Sequence, residues 1–99
     1  MTPREHDLKL ETAYFDALLS GDKNFEVRRD DRGFQRGDIL VLCRWGRTAS
    51  GAIGYLDHRG WAATRLDAQS IRRRITYILT GGQFGIEPGY VVLGLEAIE

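Results

Sequence analysis

Five consecutive apolar residues, Ile39-Leu40-Val41-Leu42-Cys43, form the longest unbroken apolar run in the sequence, with Trp45 two positions beyond it. A strand turns successive side chains to opposite faces, so a stretch that is apolar at both parities is satisfied only when both faces are covered. Residues 38–45 are therefore predicted to be a buried central strand, entered through the turn Arg36-Gly37-Asp38. In 99 residues, 42% hydrophobic and 28% charged, there is material for one core and so for a single domain over residues 1–99. The run is far short of the ~20 residues that span a bilayer, and no charged-then-apolar leader opens the chain. We expect a soluble, cytoplasmic protein with no membrane partner. A lone Cys43 forms no internal disulfide, and His6 and His58 stand too far apart for a metal-ligand spacing, so neither metal nor cofactor is expected.

Around this strand the periodicities alternate between two and three-to-four. Leu8 and Leu10 share one face of a strand over His6 to Leu10, with Asp7 and Lys9 on the other. Tyr14, Phe15, Leu18 and Leu19 then recur at helical spacing, with Thr12 placed to cap the start and Gly21 the end. Asn24 to Arg29 alternates again, predicting Phe25 and Val27 toward the core and Glu26 and Arg28 on the opposite face. Asp30 to Gly33 makes a tight turn. Residues 46–66, with four glycines and no sustained period, read as a long flap or irregular hairpin. Ser70 to Leu79 and Tyr90 to Ile98 read as two further strands, separated by Gly81-Gly82 and Pro88-Gly89. Strands with one early helix predict a curved mixed sheet or small open barrel plugged by the helix on one side.

A net charge of zero conceals a gradient. Residues 1–22 and 75–99 each carry −3, leaving +6 on residues 23–74. Arginine outnumbers lysine twelve to two, and its planar fork suits phosphate, carboxylate and base stacking, unless the excess is merely compositional. On the strand from Ser70, Arg72 and Arg74 point one way and Arg73 the other. With Arg28, Arg29, Arg32 and Arg36 they are expected to form a basic surface, for which a solvated, aggregation-resistant edge strand is the alternative. Phe15, Phe25, Trp45 and Tyr77 are expected in the core. Trp61, in the flap, and Tyr90 are candidates for stacking a base. Cys43 is expected to be a small buried hydrophobe, and His58 an exposed loop histidine.

The segment Gly21-Asp22-Lys23-Asn24-Phe25-Glu26-Val27-Arg28 resembles the G-x-K-x-x-E-x-R signature of ASCH domains, members of the PUA-like superfamily. The blocks FQRGDILVL (34–42), IRRRITYIL (71–79) and GYVVLGL (89–95) resemble small bacterial and phage ASCH-like proteins in the same order, most of the chain apart from 46–70 being covered. The resemblance implies an α+β fold, a PUA-like open mixed β-barrel of five or six strands with one main N-terminal helix and a cleft beside that helix. It implies binding of RNA or of a modified nucleoside or nucleotide. In some members it implies hydrolysis, including removal of acyl groups from cytidine. Those hydrolases carry a threonine where this chain has Glu26, so a threonine nucleophile is excluded here.

Two functional readings follow. One is a nucleic-acid or nucleotide-binding module using Lys23, Glu26 and Arg28 in the cleft, with Arg29, Arg72, Arg74, Trp61 and Tyr90 around it. The other is a small amidohydrolase or ribonuclease in which Lys23 and Glu26 are catalytic, Glu26 accepting a proton from water and the cations holding an oxyanion. Against both stands a purely structural ion-pair cluster joining helix to sheet.

Overall fold

The computed structural model describes residues 2–98. Its elements are β1 (Glu5–Glu11), α1 (Thr12–Ser20), β2 (Phe25–Arg29), β3 (Ile39–Arg47), β4 (Ile53–Tyr55), β5 (Ser70–Thr80) and β6 (Tyr90–Ala97). The apolar run lies in β3, and β3 is central: β1 pairs with one of its edges in parallel, while β5 and β4 share the other in antiparallel. The strand order is β1-β3-β5-β6-β2, giving one six-stranded mixed sheet. It is not closed into a barrel, since β1 and β2, the two ends of that order, do not pair with each other.

The helix covers one face of the sheet. Phe15 and Leu18, three residues apart on α1, pack with Leu8 and Leu10 of β1, Leu40 and Leu42 of β3, Ile75 of β5 and Val91, Leu93 and Leu95 of β6. On the other face of β3, Ile39 and Cys43 are also buried, and Arg65 from the flap reaches across to Asp7 of β1 at 3.0 Å. Both faces of the central strand are thus covered, as its composition requires.

Three local expectations need correction. The helix is preceded by Glu11 as the N-cap residue with no side-chain cap, and Thr12 is its first residue. Gly46 lies so close that a Cβ on it would sit 3.1 Å from Thr12 Oγ1, which ties the helix start to β3. The faces of β2 are the reverse of those expected: Glu26 is 3% exposed, whereas Phe25 and Val27 are 42% and 49% exposed. Alternation identifies two faces but not which is inner, and here cations accompany the carboxylate inward. Tyr77 is 60% exposed, because a bulge between Ile75 and Tyr77 shifts the pairing with β6 and turns Ile78 inward instead. In the flap, β3 runs on to Arg47 and pairs with β4, and a further bridge joins Leu56 to Ala62.

The entry to β3 is fixed by a buried charge. Asp38 accepts hydrogen bonds from His6 at 2.9 Å and from the Gln35 N–H at 3.1 Å, with Arg4 at 3.3 Å. Burial works to raise the Asp38 carboxyl, but the bonds from His6 and Gln35 and the charge of Arg4 outweigh it and hold the carboxyl below the ordinary value. A carboxyl depressed in the fold contributes stability above its unfolded pKa, and that contribution is lost as pH falls through the folded value. Asp38→Asn should therefore lower Tm at pH 7, and its deficit relative to wild type should shrink below about pH 4. Melting curves between pH 7 and 2.5 check this.

Candidate functional site

The site begins where α1 ends. Gly21 takes a left-handed conformation, φ +88°, and its N–H bonds the Leu18 carbonyl. The Lys23 N–H then returns to the Ala17 carbonyl at 3.0 Å, folding the chain back beneath the helix end. This places Lys23 immediately before β2, within reach of Glu26.

Glu26 is held from two sides. Lys23 Nζ forms an ion pair with Oε1, and Arg28 Nε donates to Oε2 at 3.1 Å. A second Arg28 nitrogen donates to the Lys9 carbonyl of β1 at 2.7 Å. Lys23 Nζ also lies 5.2 Å from the ring centroids of both Tyr14 and Phe25. Tyr14, Lys23, Phe25, Glu26 and Val27 line a cleft of about 370 Å³. Its wall is mostly apolar, with the paired carboxylate at its base.

The cleft runs into the seam between β1 and β2. Flanking β2, the Asn24 carbonyl accepts from the Leu95 N–H of β6 and the Asp30 N–H donates to the Gly89 carbonyl just before β6, so antiparallel alternation turns the backbone groups of Phe25, Val27 and Arg29 toward the open side. From β1, the Lys9 and Asp7 carbonyls face the same gap. Arg28 bonds the first, and Arg32 the second at 2.8 Å. Two guanidinium groups thus span strand edges that no backbone ladder joins. A second hollow of about 360 Å³ follows this seam and includes Lys9, Glu11, Arg28, Arg29 and Tyr90 besides Tyr14, Glu26 and Val27.

Of the residues singled out in the sequence, Lys23, Glu26 and Arg28 come together, and Arg29 and Tyr90 adjoin them, the Arg29 guanidinium lying 5.2 Å from the Tyr90 ring centroid. The others do not join them. Arg72 makes two hydrogen bonds to Glu5, and Arg74 pairs with Glu96 at 3.2 Å. The expected continuous basic surface is therefore broken up by acids from the two negative ends of the chain. Trp61 stacks on Arg59 at 4.1 Å in the flap, where Asp57 accepts from the N–H groups of both Arg59 and Trp61, and it lines neither hollow. Cys43 is buried, and burial together with the nearby Asp7 pushes its thiol up, which opposes formation of a thiolate. His58 is exposed. Helical spacing assigns Tyr14 only to a helix face, yet it forms one wall of the cleft. Its position one turn from Leu18, facing the returning Lys23, was the available signal.

Residues 5–95, nearly the entire chain and every element of the site, match the family described as a domain of unknown function, DUF3850. The chain belongs to that family. Over 45 residues this DUF3850 chain is also 44% identical to a protein of Escherichia phage P2 named "Uncharacterized 12.9 kDa protein in GpA 3'region". That match takes in 46% of this chain and 41% of the phage protein's length.

In this DUF3850 domain the buried cluster has a structural component that can be measured. Hydrogen bonds to a charged group are worth roughly 1.5–3 kcal/mol each, and truncating one partner of a buried pair leaves the other uncompensated. Glu26→Gln should destabilise the fold by on the order of 2 kcal/mol in urea unfolding. A change within about 0.5 kcal/mol would show that Lys23 and Arg28 do not depend on it.

Proposed function

We propose that the domain is a nucleotide-recognition module of the ASCH or PUA-like kind, and that the base of an RNA nucleotide or modified nucleoside enters the cleft between Tyr14, Phe25 and Val27. The observation that carries the reading is the pairing of a mostly apolar wall with one fixed carboxylate. Each Glu26 oxygen has one cationic partner and capacity for a further hydrogen bond, so the group can accept from an exocyclic amine while the rings hold the base. In this reading the curved sheet is a PUA-like barrel opened at the β1–β2 seam, where Arg28 and Arg32 stand in for the missing ladder. The neutralised Arg72 and Arg74 favour recognition of one or a few nucleotides over a long phosphate track.

A hydrolase acting on acylated cytidine would use the same residues, with Glu26 as general base and Lys23 or Arg28 holding the oxyanion. It ranks second because binding needs Glu26 only to accept a hydrogen bond, whereas hydrolysis needs it to take up a proton and so to give up part of its charge-assisted bonding to Lys23 and Arg28.

Calorimetric titration with cytidine, N4-acetylcytidine and a short single-stranded RNA tests the proposal. Tyr14 is about half exposed, so Tyr14→Ala should leave stability within about 0.5 kcal/mol. Base–aromatic stacking is worth ~1–3 kcal/mol, so affinity should fall about tenfold. Failure of all three ligands to bind sinks the reading. Release of acetate from N4-acetylcytidine would replace it with the hydrolase.

A further inference from the structure

The arginines of this chain are mostly committed, and those that are not point to a second part of the ligand. Arg44 pairs with Asp16, Arg65 with Asp7, Arg72 with Glu5 and Arg74 with Glu96. Arg73 donates to the Leu18 carbonyl, and Arg47 to that of Gly51. Among the described residues, Arg29 and Arg36 are left with neither a carboxylate nor a carbonyl partner. Arg36 lies beside Gly37 and Arg74, outside the seam. Arg29 borders the seam, its guanidinium oriented over Tyr90.

We propose that Arg29 forms an anion-holding subsite for the phosphate of the nucleotide whose base occupies the cleft. This rests on the base-binding reading above and specifies its ligand as a nucleoside monophosphate unit rather than a bare nucleoside.

Three observations support it. Val27 and Arg29 are two apart on one strand, so their side chains leave the same face ~6–7 Å apart, a separation that a ribose can bridge. The base wall and Arg29 are thereby adjacent without overlap. The tyrosine ring beneath Arg29 limits the guanidinium's freedom, so less entropy is lost when it grips a phosphate with two parallel N–H bonds. The seam is also polarised. Arg28 meets Lys9 and Arg32 meets Asp7, so β1 and β2 run in opposite directions across it. Glu11 therefore lies at the α1 end, beside the base wall, and Arg29 toward the other. The other acids near the seam are occupied: Glu26 by Lys23 and Arg28, Asp7 by Arg65, Asp31 by Arg32, and Asp30 by the Phe34 N–H.

The test compares cytidine, cytidine 5′-monophosphate, cytidine 3′-monophosphate and a single-stranded RNA hexamer by calorimetry at two salt concentrations. At least one monophosphate should bind about tenfold tighter than cytidine, and raising the salt should reduce that advantage. Arg29→Ala, an exposed position, should bring the monophosphate-to-nucleoside ratio near one, whereas Arg36→Ala should leave the ratio as in wild type. RNA binding no tighter than the free monophosphate identifies a single-nucleotide ligand, and much tighter RNA binding places the same phosphate within a chain. If cytidine and both monophosphates bind equally, the phosphate subsite is wrong while base recognition stands. If none of the four ligands binds, base recognition is wrong and the subsite with it. A ratio that survives Arg29→Ala in a variant with unchanged Tm also overturns the assignment.

Discussion

A carboxylate withdrawn from water must be compensated where it lies, and in this protein that requirement fixes the arrangement of three elements. Glu26 is carried inward by β2, Lys23 reaches it from the end of α1, and Arg28 reaches it from β2 while bonding a carbonyl of β1. The returning chain after Gly21, the inward face of β2 and the approach of β1 to β2 all meet at this group. Buried ion pairs add little net stability compared with apolar packing, but they are costly to break. Such a cluster specifies one arrangement of the seam while leaving hydrogen-bonding capacity on the carboxylate. The residues that position the strand edges are for this reason the same residues that form the base of the cleft.

The charge distribution has a parallel logic. A segment of +6 between two segments of −3 folds so that the ends return against the middle: Glu5 meets Arg72, Asp7 meets Arg65, Asp16 meets Arg44 and Glu96 meets Arg74. Apart from the Asp16 pair, whose Arg44 is buried, these pairs are exposed and contribute little to stability. Their consequence is selective, since they remove most of the basic residues from competition for an anion and leave Arg29 beside the cleft. A charge profile along the sequence cannot distinguish a neutralised arginine from an available one.

Much of the scaffold was legible because period and run length are local properties. The apolar run from Ile39 has one stable placement in a small domain, and it became the central strand. The helix from Thr12, its end at Gly21, and the strands near His6, Asn24, Ser70 and Tyr90 followed from spacing and turn chemistry within a residue or two. The convergence of Lys23, Glu26 and Arg28 was also local, as all three lie within six residues. The errors arose where a local pattern has two global solutions. The alternation of β2 fits either orientation, and strict alternation along β5 does not anticipate the bulge after Ile75 that turns Tyr77 to solvent.

The sequence by itself determined that there would be one core, a central strand at Ile39, an early helix ending at Gly21, and three charged side chains near that end, because hydrophobic periodicity and glycine conformation act over a few residues. Only the tertiary structure decided that Glu26 faces inward, that the sheet stays open between β1 and β2 with arginines spanning the gap, and that Arg72 and Arg74 are neutralised while Arg29 is not. Those outcomes depend on contacts between residues far apart in the chain, such as Arg28 with Lys9 and Arg72 with Glu5. Their energies come from desolvation and geometry, which exist only once the sheet has formed.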